Sequence, residues 1–142
     1  MNEQPLQIET GNRAENIELA IATYKKALEV LTPTASGEQW ATTQNNLGNA
    51  YSDRILGERA ENIELAIAAF SAALEVRTRS NFPEQWASTQ NNLGNAYLYR
   101  ISGERAKNIE LAIAAFSAAL EVRTKSDFPE QWASTQNNLG NA

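Results

Sequence analysis

The sequence predicts an all-α fold, an α-solenoid of stacked antiparallel helix pairs. Three observations carry that prediction. Trp40, Trp86 and Trp132 stand 46 residues apart. The block from Arg59 to Ala96 returns from Arg105 to Ala142 with three changes, Glu61 to Lys107, Arg79 to Lys125 and Asn81 to Asp127. It appears once more from Arg13 to Ala50 with eleven differences. Within each copy, apolar residues recur at helical spacing, on two different patterns. A fixed period of this kind marks an array in which each unit buries its apolar face against its neighbours. Function is therefore expected on a surface that the copies build jointly.

The first pattern, type A, is clearest over residues 82–103. Trp86, Gln90, Leu93, Tyr97 and Ile101 make one stripe of a 3.6-residue helix. Gly94 and Ala96 leave room for a second helix. Pro83 suits the first turn and Gly103 the left-handed turn that follows the last residue. In the first copy Ser36 and Gln39 have the spacing of a capping box.

The second pattern, type B, spans about residues 106–124. Ile109, Ala112, Ile113, Phe116, Ala119 and Leu120 form one stripe, and Leu111, Ala115, Ala118 and Val122 a second. Glu110, Ser117 and Glu121 are among the few residues left for water. A helix apolar on two sides needs neighbours on two sides. The order along the chain is B (14–32), A (36–56), B (60–78), A, B and a final A from Pro129, about six helices in all. Residues 1–12 form a polar leader in which Gly11 aligns with Gly57 and Gly103, as in the stump of an A helix. The array proper is 13–142, in copies 13–58, 59–104 and a shorter 105–142.

Composition narrows the function classes. The chain of 142 residues is 42% hydrophobic, enough for a core. It has no cysteine and no histidine, which excludes disulfides, thiol chemistry, thiolate metal sites and imidazole catalysis. A net charge of −5 disfavours a nucleic-acid partner, which calls for a basic stripe. Apolar runs such as Ala112 to Phe116 are too short to span a membrane. The N-terminus lacks the basic and apolar segments of a secretory signal, so a cytoplasmic location is expected. Each polar cluster is repeated between copies rather than converging with unlike groups, which argues against an enzyme. No cofactor or metal is expected.

Leu93-Gly94, Ala96-Tyr97, Ala112-Ile113, Phe116 and Ala119-Leu120 together resemble the tetratricopeptide repeat. That resemblance covers almost all of 13–142 and implies helix pairs stacked into a right-handed superhelix. The chain departs from the family in two ways. Its period exceeds the usual one of about 34 residues, each connection gaining about six. Trp86 also sits one turn before the family's tryptophan, whose place Gln90 takes. The longer unit is similar to the kinesin light-chain class and to long arrays in bacterial multidomain proteins, often fused to caspase-like peptidase or signalling domains.

In such arrays the A helices line a concave groove. Here the corresponding face reads Thr42, Asn46, Asn49 and Asp53, then Ser88, Asn92, Asn95 and Tyr99, then Ser134, Asn138 and Asn141. In several related families, the O-GlcNAc transferases among them, an asparagine just before Leu-Gly forms a ladder that holds an extended peptide by its backbone. The matching rungs are Asn46, Asn92 and Asn138. An asparagine amide offers both a donor and an acceptor, so it can pair with a peptide unit of any side chain. The alternative is that these asparagines join neighbouring helices and set the curvature, a role that suits Asn45 and Asn91 better still. Arg54 and Arg100 have two readings, a carboxylate of the ligand or a nearby glutamate. Gly57-Glu58-Arg59 and Gly103-Glu104-Arg105 are expected to pair their charges along the array edge. The tryptophans read as packing residues.

Tyr24, Lys25 and Lys26 replace Phe70, Ser71 and Ala72 in the first B helix and read as a partial cap. Gln131 to Ala142 is not capped. Two explanations compete: a fragment of a longer protein, or an open A end that docks on the open B end of another molecule, head to tail. Self-association through the ends is the expectation, alongside a peptide or protein ligand in the groove.

Overall fold

A computed structural model describes residues 12–142, and the leader up to Gly11 lies outside the described residues. The described chain is all-helical. Its helices are α1 (Arg13–Ala27), α2 (Gly37–Asp53), α3 (Arg59–Ala73), α4 (Pro83–Tyr99), α5 (Arg105–Leu120) and α6 (Pro129–Asn141). The B-type segments become α1, α3 and α5, and the A-type segments α2, α4 and α6. Each helix packs on the next in chain order, most closely in the hairpins α2–α3 and α4–α5, and α2 also touches α4. None is long and apolar enough to cross a membrane.

Phenylalanine on glycine sets the hairpins. Phe70 is 1% exposed and Phe116 0%. A Cβ on Gly48 would lie 2.5 Å from the Phe70 ring, and one on Gly94 2.6 Å from Phe116. Any larger residue would push the ring out of its seat, so Leu47-Gly48 and Leu93-Gly94 serve helix contact. Around these rings lie Ile21, Leu47, Tyr51, Ala66, Leu93 and Ala96 in one cluster, and Leu98 and Ala112 in another. Trp40, Trp86 and Trp132 are half-buried.

The helices are shorter than the sequence pattern predicts. The B helices stop at Ala27, Ala73 and Leu120 rather than at 32, 78 and 124. Beyond Ala73 the chain tightens into three-residue turns, with Glu75 N–H donating to Ala72 O at 3.0 Å and Val76 N–H to Ala73 O at 3.1 Å. Apolar spacing continues through these turns, but the regular helix does not. Thr32, Thr78 and Thr124 then fix the connection to the next A helix. Their hydroxyls accept the N–H of Ala35, Asn81 and Asp127 at 3.0, 3.1 and 3.2 Å. The expected capping box is absent, because Ser36 is the N-cap residue of α2 but makes no side-chain cap bond. Pro83 and Pro129 do occupy the first turns of α4 and α6.

The A helices likewise end early, at Asp53 and Tyr99, where Arg54 and Arg100 turn the backbone extended. Ile101 therefore leaves the helical stripe and is 62% exposed. Gly57 and Gly103 adopt φ of 80° and 82°, the left-handed conformation expected of them, although in the loop and not directly after the helix.

That loop is held by a repeated clamp. Arg54 grips Glu18 of α1 with both arms at 2.7 Å and donates to Asn62 Oδ1 at 3.3 Å. Asn62, 2% exposed, donates in turn to the Leu56 carbonyl. Arg100 repeats this with Glu64 at 2.7 and 2.8 Å and with Asn108 at 3.5 Å. The glutamate reading of these arginines is thus the observed one. The expected edge pairing is not: among the described residues Glu58, Arg59, Glu104 and Arg105 form no ion pairs. Arg59 and Arg105 donate instead to the carbonyls of Ser52 and Leu98 at the ends of the preceding helices.

The hydrogen bonds from Arg54 and Arg100 hold Glu18 and Glu64 below the ordinary carboxylate value of 4.5. A depressed folded-state value means stabilisation that is complete above 4.5 and is lost as pH falls through the folded value. The urea midpoint should therefore decline from just below that pH. Glu18→Gln with Glu64→Gln should lower the midpoint at neutral pH and flatten part of the acid decline. An acid profile identical to that of the parent protein would remove the clamp's role.

Candidate functional site

The asparagine pairs of the A helices divide their work because consecutive residues of a helix point about 100° apart. Asn45 and Asn91 turn inward and are buried, at 8% and 9% exposure. Asn46, Asn92 and Asn138 remain half-buried. A polar relay connects the two sets. Arg77, buried just past α3, donates to Thr89 Oγ1 at 3.1 Å and to Thr42 Oγ1 at 3.0 Å. Thr89 donates to Asn45 Oδ1 at 3.0 Å, and Asn92 Nδ2 donates to the same oxygen at 3.3 Å.

The next copy repeats the relay. Arg123 reaches Thr135 at 3.4 Å, Thr135 donates to Asn91 Oδ1 at 3.1 Å, and Asn138 Nδ2 joins there at 3.2 Å. Glu38 and Glu84 stand 3.6 and 3.4 Å from Arg77 and Arg123. Satisfaction is incomplete, since Arg77 Nε, Arg123 Nε and one oxygen of each glutamate are buried without a partner. In the first copy Leu31 stands where Arg77 and Arg123 do, and Thr43 donates to its own helix at Gln39 O.

Six of the eight sequence-derived candidates meet in one place. Asn49, Asp53, Asn92, Asn95, Tyr99 and Asn138 line a cavity of about 290 Å³, with Ser52 and Arg59 on its wall and Phe70 at its base. Asn46 lies instead in a second cavity of about 370 Å³ beside α1, which Asn49 and Asp53 also line together with Tyr24. The two share these residues and so adjoin along α2. Asn141 is exposed at the end of α6 and lines neither.

Sequence reading did not anticipate Arg77, Arg123, Asn62, Asn108 or the carbonyl contacts of Arg59 and Arg105. The signal for the first two was present. Leu31 against Arg77 and Arg123 is a change of character at a position that follows a valine in every copy, which suggests a specific partner in the later copies.

The arrangement offers amides, a carboxylate and an exposed phenol on one surface. Among the described residues no set of three His, Cys, Asp or Glu groups is placed to hold a metal. The chain matches no protein-family model, no curated protein and no solved structure.

Proposed function

We propose that the chain is a non-catalytic protein-binding scaffold of the tetratricopeptide kind, a solenoid whose A helices hold an extended peptide in their groove. The observation that carries this reading is the cavity shared by α2, α3 and α4. Positions related by the period, Asn49 with Asn95 and Asp53 with Tyr99, face the same space there, and Asn138 joins Asn92. Neighbouring helices pack about 8–10 Å apart, and an extended chain advances about 3.3 Å per residue. One rung would then serve about every third residue of the ligand. Each net hydrogen bond contributes about 0.5–1.5 kcal/mol. Affinity from these few copies is thus modest, and further copies would add avidity.

The test is a displayed library of unstructured peptides, selected on the folded chain and reassayed on the combined variant Asn46→Ala, Asn92→Ala and Asn138→Ala. Selected peptides should bind the variant at least about tenfold more weakly, three lost rungs corresponding to that or more. Helicity should be retained, since Thr89 and Thr135 still bond Asn45 and Asn91. Undiminished binding by a folded variant would refute the ladder.

A second reading, association of copies end to end, has one observation in its favour. Ala41 and Ala87 are fully buried and Gly48 and Gly94 lie under phenylalanine rings, yet the equivalent Ala133 and Gly140 of α6 are exposed. This face has the shape to accept a B-type helix, whether from another copy or from further chain. Sedimentation of the parent chain should show concentration-dependent association that Gly140→Leu abolishes. A single monomeric species at millimolar concentration would contradict it.

A further inference from the structure

We propose that the cavity between α2, α3 and α4 selects a cationic side chain, lysine or arginine, on the peptide it holds. This rests on the groove reading above and adds the chemistry of the ligand.

The buried relay runs in one direction. A guanidinium only donates. Thr89 accepts from Arg77 and passes its own proton to Asn45 Oδ1. That oxygen, accepting from Thr89, also accepts the Asn92 nitrogen. The Asn92 amide is thereby oriented, with nitrogen against α2 and oxygen directed away from Asn45. Arg123, Thr135 and Asn91 orient Asn138 in the same sense. Asn92 and Asn138, which both line the cavity, therefore have their oxygens turned away from the neighbouring asparagine, although an amide in isolation could present either end.

Two further residues have the same preference. Asp53 is exposed and, among the described residues, forms no ion pair. Tyr99 is 61% exposed, and its ring faces favour a cation. Both line this cavity with Asn92 and Asn138. Arg59 is the cation on the wall, and one of its nitrogens is already given to the Ser52 carbonyl. Acceptor oxygens, a carboxylate and an aromatic face together recognise an ammonium or guanidinium group. The combination of Asp53 with Tyr99 arises because one register position differs between consecutive copies, so it occurs once in the described chain.

The test titrates the full chain with three blocked pentapeptides of alanine whose central residue is arginine, leucine or glutamate, followed by backbone and side-chain amide resonances. The arginine peptide should bind about tenfold more tightly than the leucine peptide, the magnitude of one charge-assisted hydrogen bond. Asp53→Asn should remove that advantage, weakening the arginine peptide far more than the leucine peptide. Arg77→Leu with Arg123→Leu brings in the residue of the first copy, with helicity read alongside to separate unfolding from loss of orientation. It should weaken the arginine peptide more than the leucine peptide, because the rungs are no longer held with oxygen outward, and Arg77→Lys with Arg123→Lys should restore part of the difference. Equal binding of the arginine and leucine peptides, or an advantage that survives Asp53→Asn, overturns cation selection and leaves the groove standing. Absence of shifts at Asn92 and Asn138 with all three peptides overturns both.

Discussion

A phenylalanine ring seated on a glycine is the contact on which the other features depend. Phe70 on Gly48 and Phe116 on Gly94 bring α3 and α5 closer to α2 and α4 than any side chain on the glycine would permit. That closeness buries Ala66 and Ala112 completely and places Asn62 and Asn108 where they can hold the loops. The Arg54 and Arg100 clamps extend from those loops back to the preceding B helix. Hydrophobic seating fixes the hairpin, and polar bonds fix its relation to the B helix before it.

The polar relay works at the opposite end of the B helices. Burying Arg77 and Arg123 costs desolvation that their hydrogen bonds only partly offset, as the unpaired Nε atoms show. The first copy carries Leu31 at this position, where no described A helix precedes it. What the arginines contribute is orientation: they donate to Thr89 and Thr135, and those hydroxyls in turn donate to Asn45 and Asn91. The consequence reaches the surface at Asn92 and Asn138.

Much of the fold was legible because period and apolar spacing are both written in the order of residues. Six helices of the expected types in the expected order follow from them. Helix ends were less legible. The pattern Leu74-Glu75-Val76 continues a helical stripe, yet the backbone tightens there and Arg77 turns toward Thr89, a residue of another helix. The Ser36 capping box had the right spacing and did not form, since Thr32 already organises that connection. At the candidate site, face periodicity brought Asn49, Asp53, Asn92, Asn95, Tyr99 and Asn138 to one cavity. It did not place Asn46 in the adjoining one, nor could it show that Asn92 and Asn138 give their nitrogens to Asn45 and Asn91. Those bonds join residues 47 apart in sequence and depend on helix spacing that no single segment encodes.

Gly94 and Gly140 provide the most direct measurement, because they occupy the same place in identical segments while a Cβ meets Phe116 at the first and nothing within 4 Å at the second. Gly94→Ala should destabilise the chain in urea by about 1–3 kcal/mol, the usual cost of overpacking. Gly140→Ala should be neutral or stabilising by up to about 1 kcal/mol, the helix preference of alanine over glycine. Equal effects of the two substitutions would contradict the seating of the ring as the organising contact.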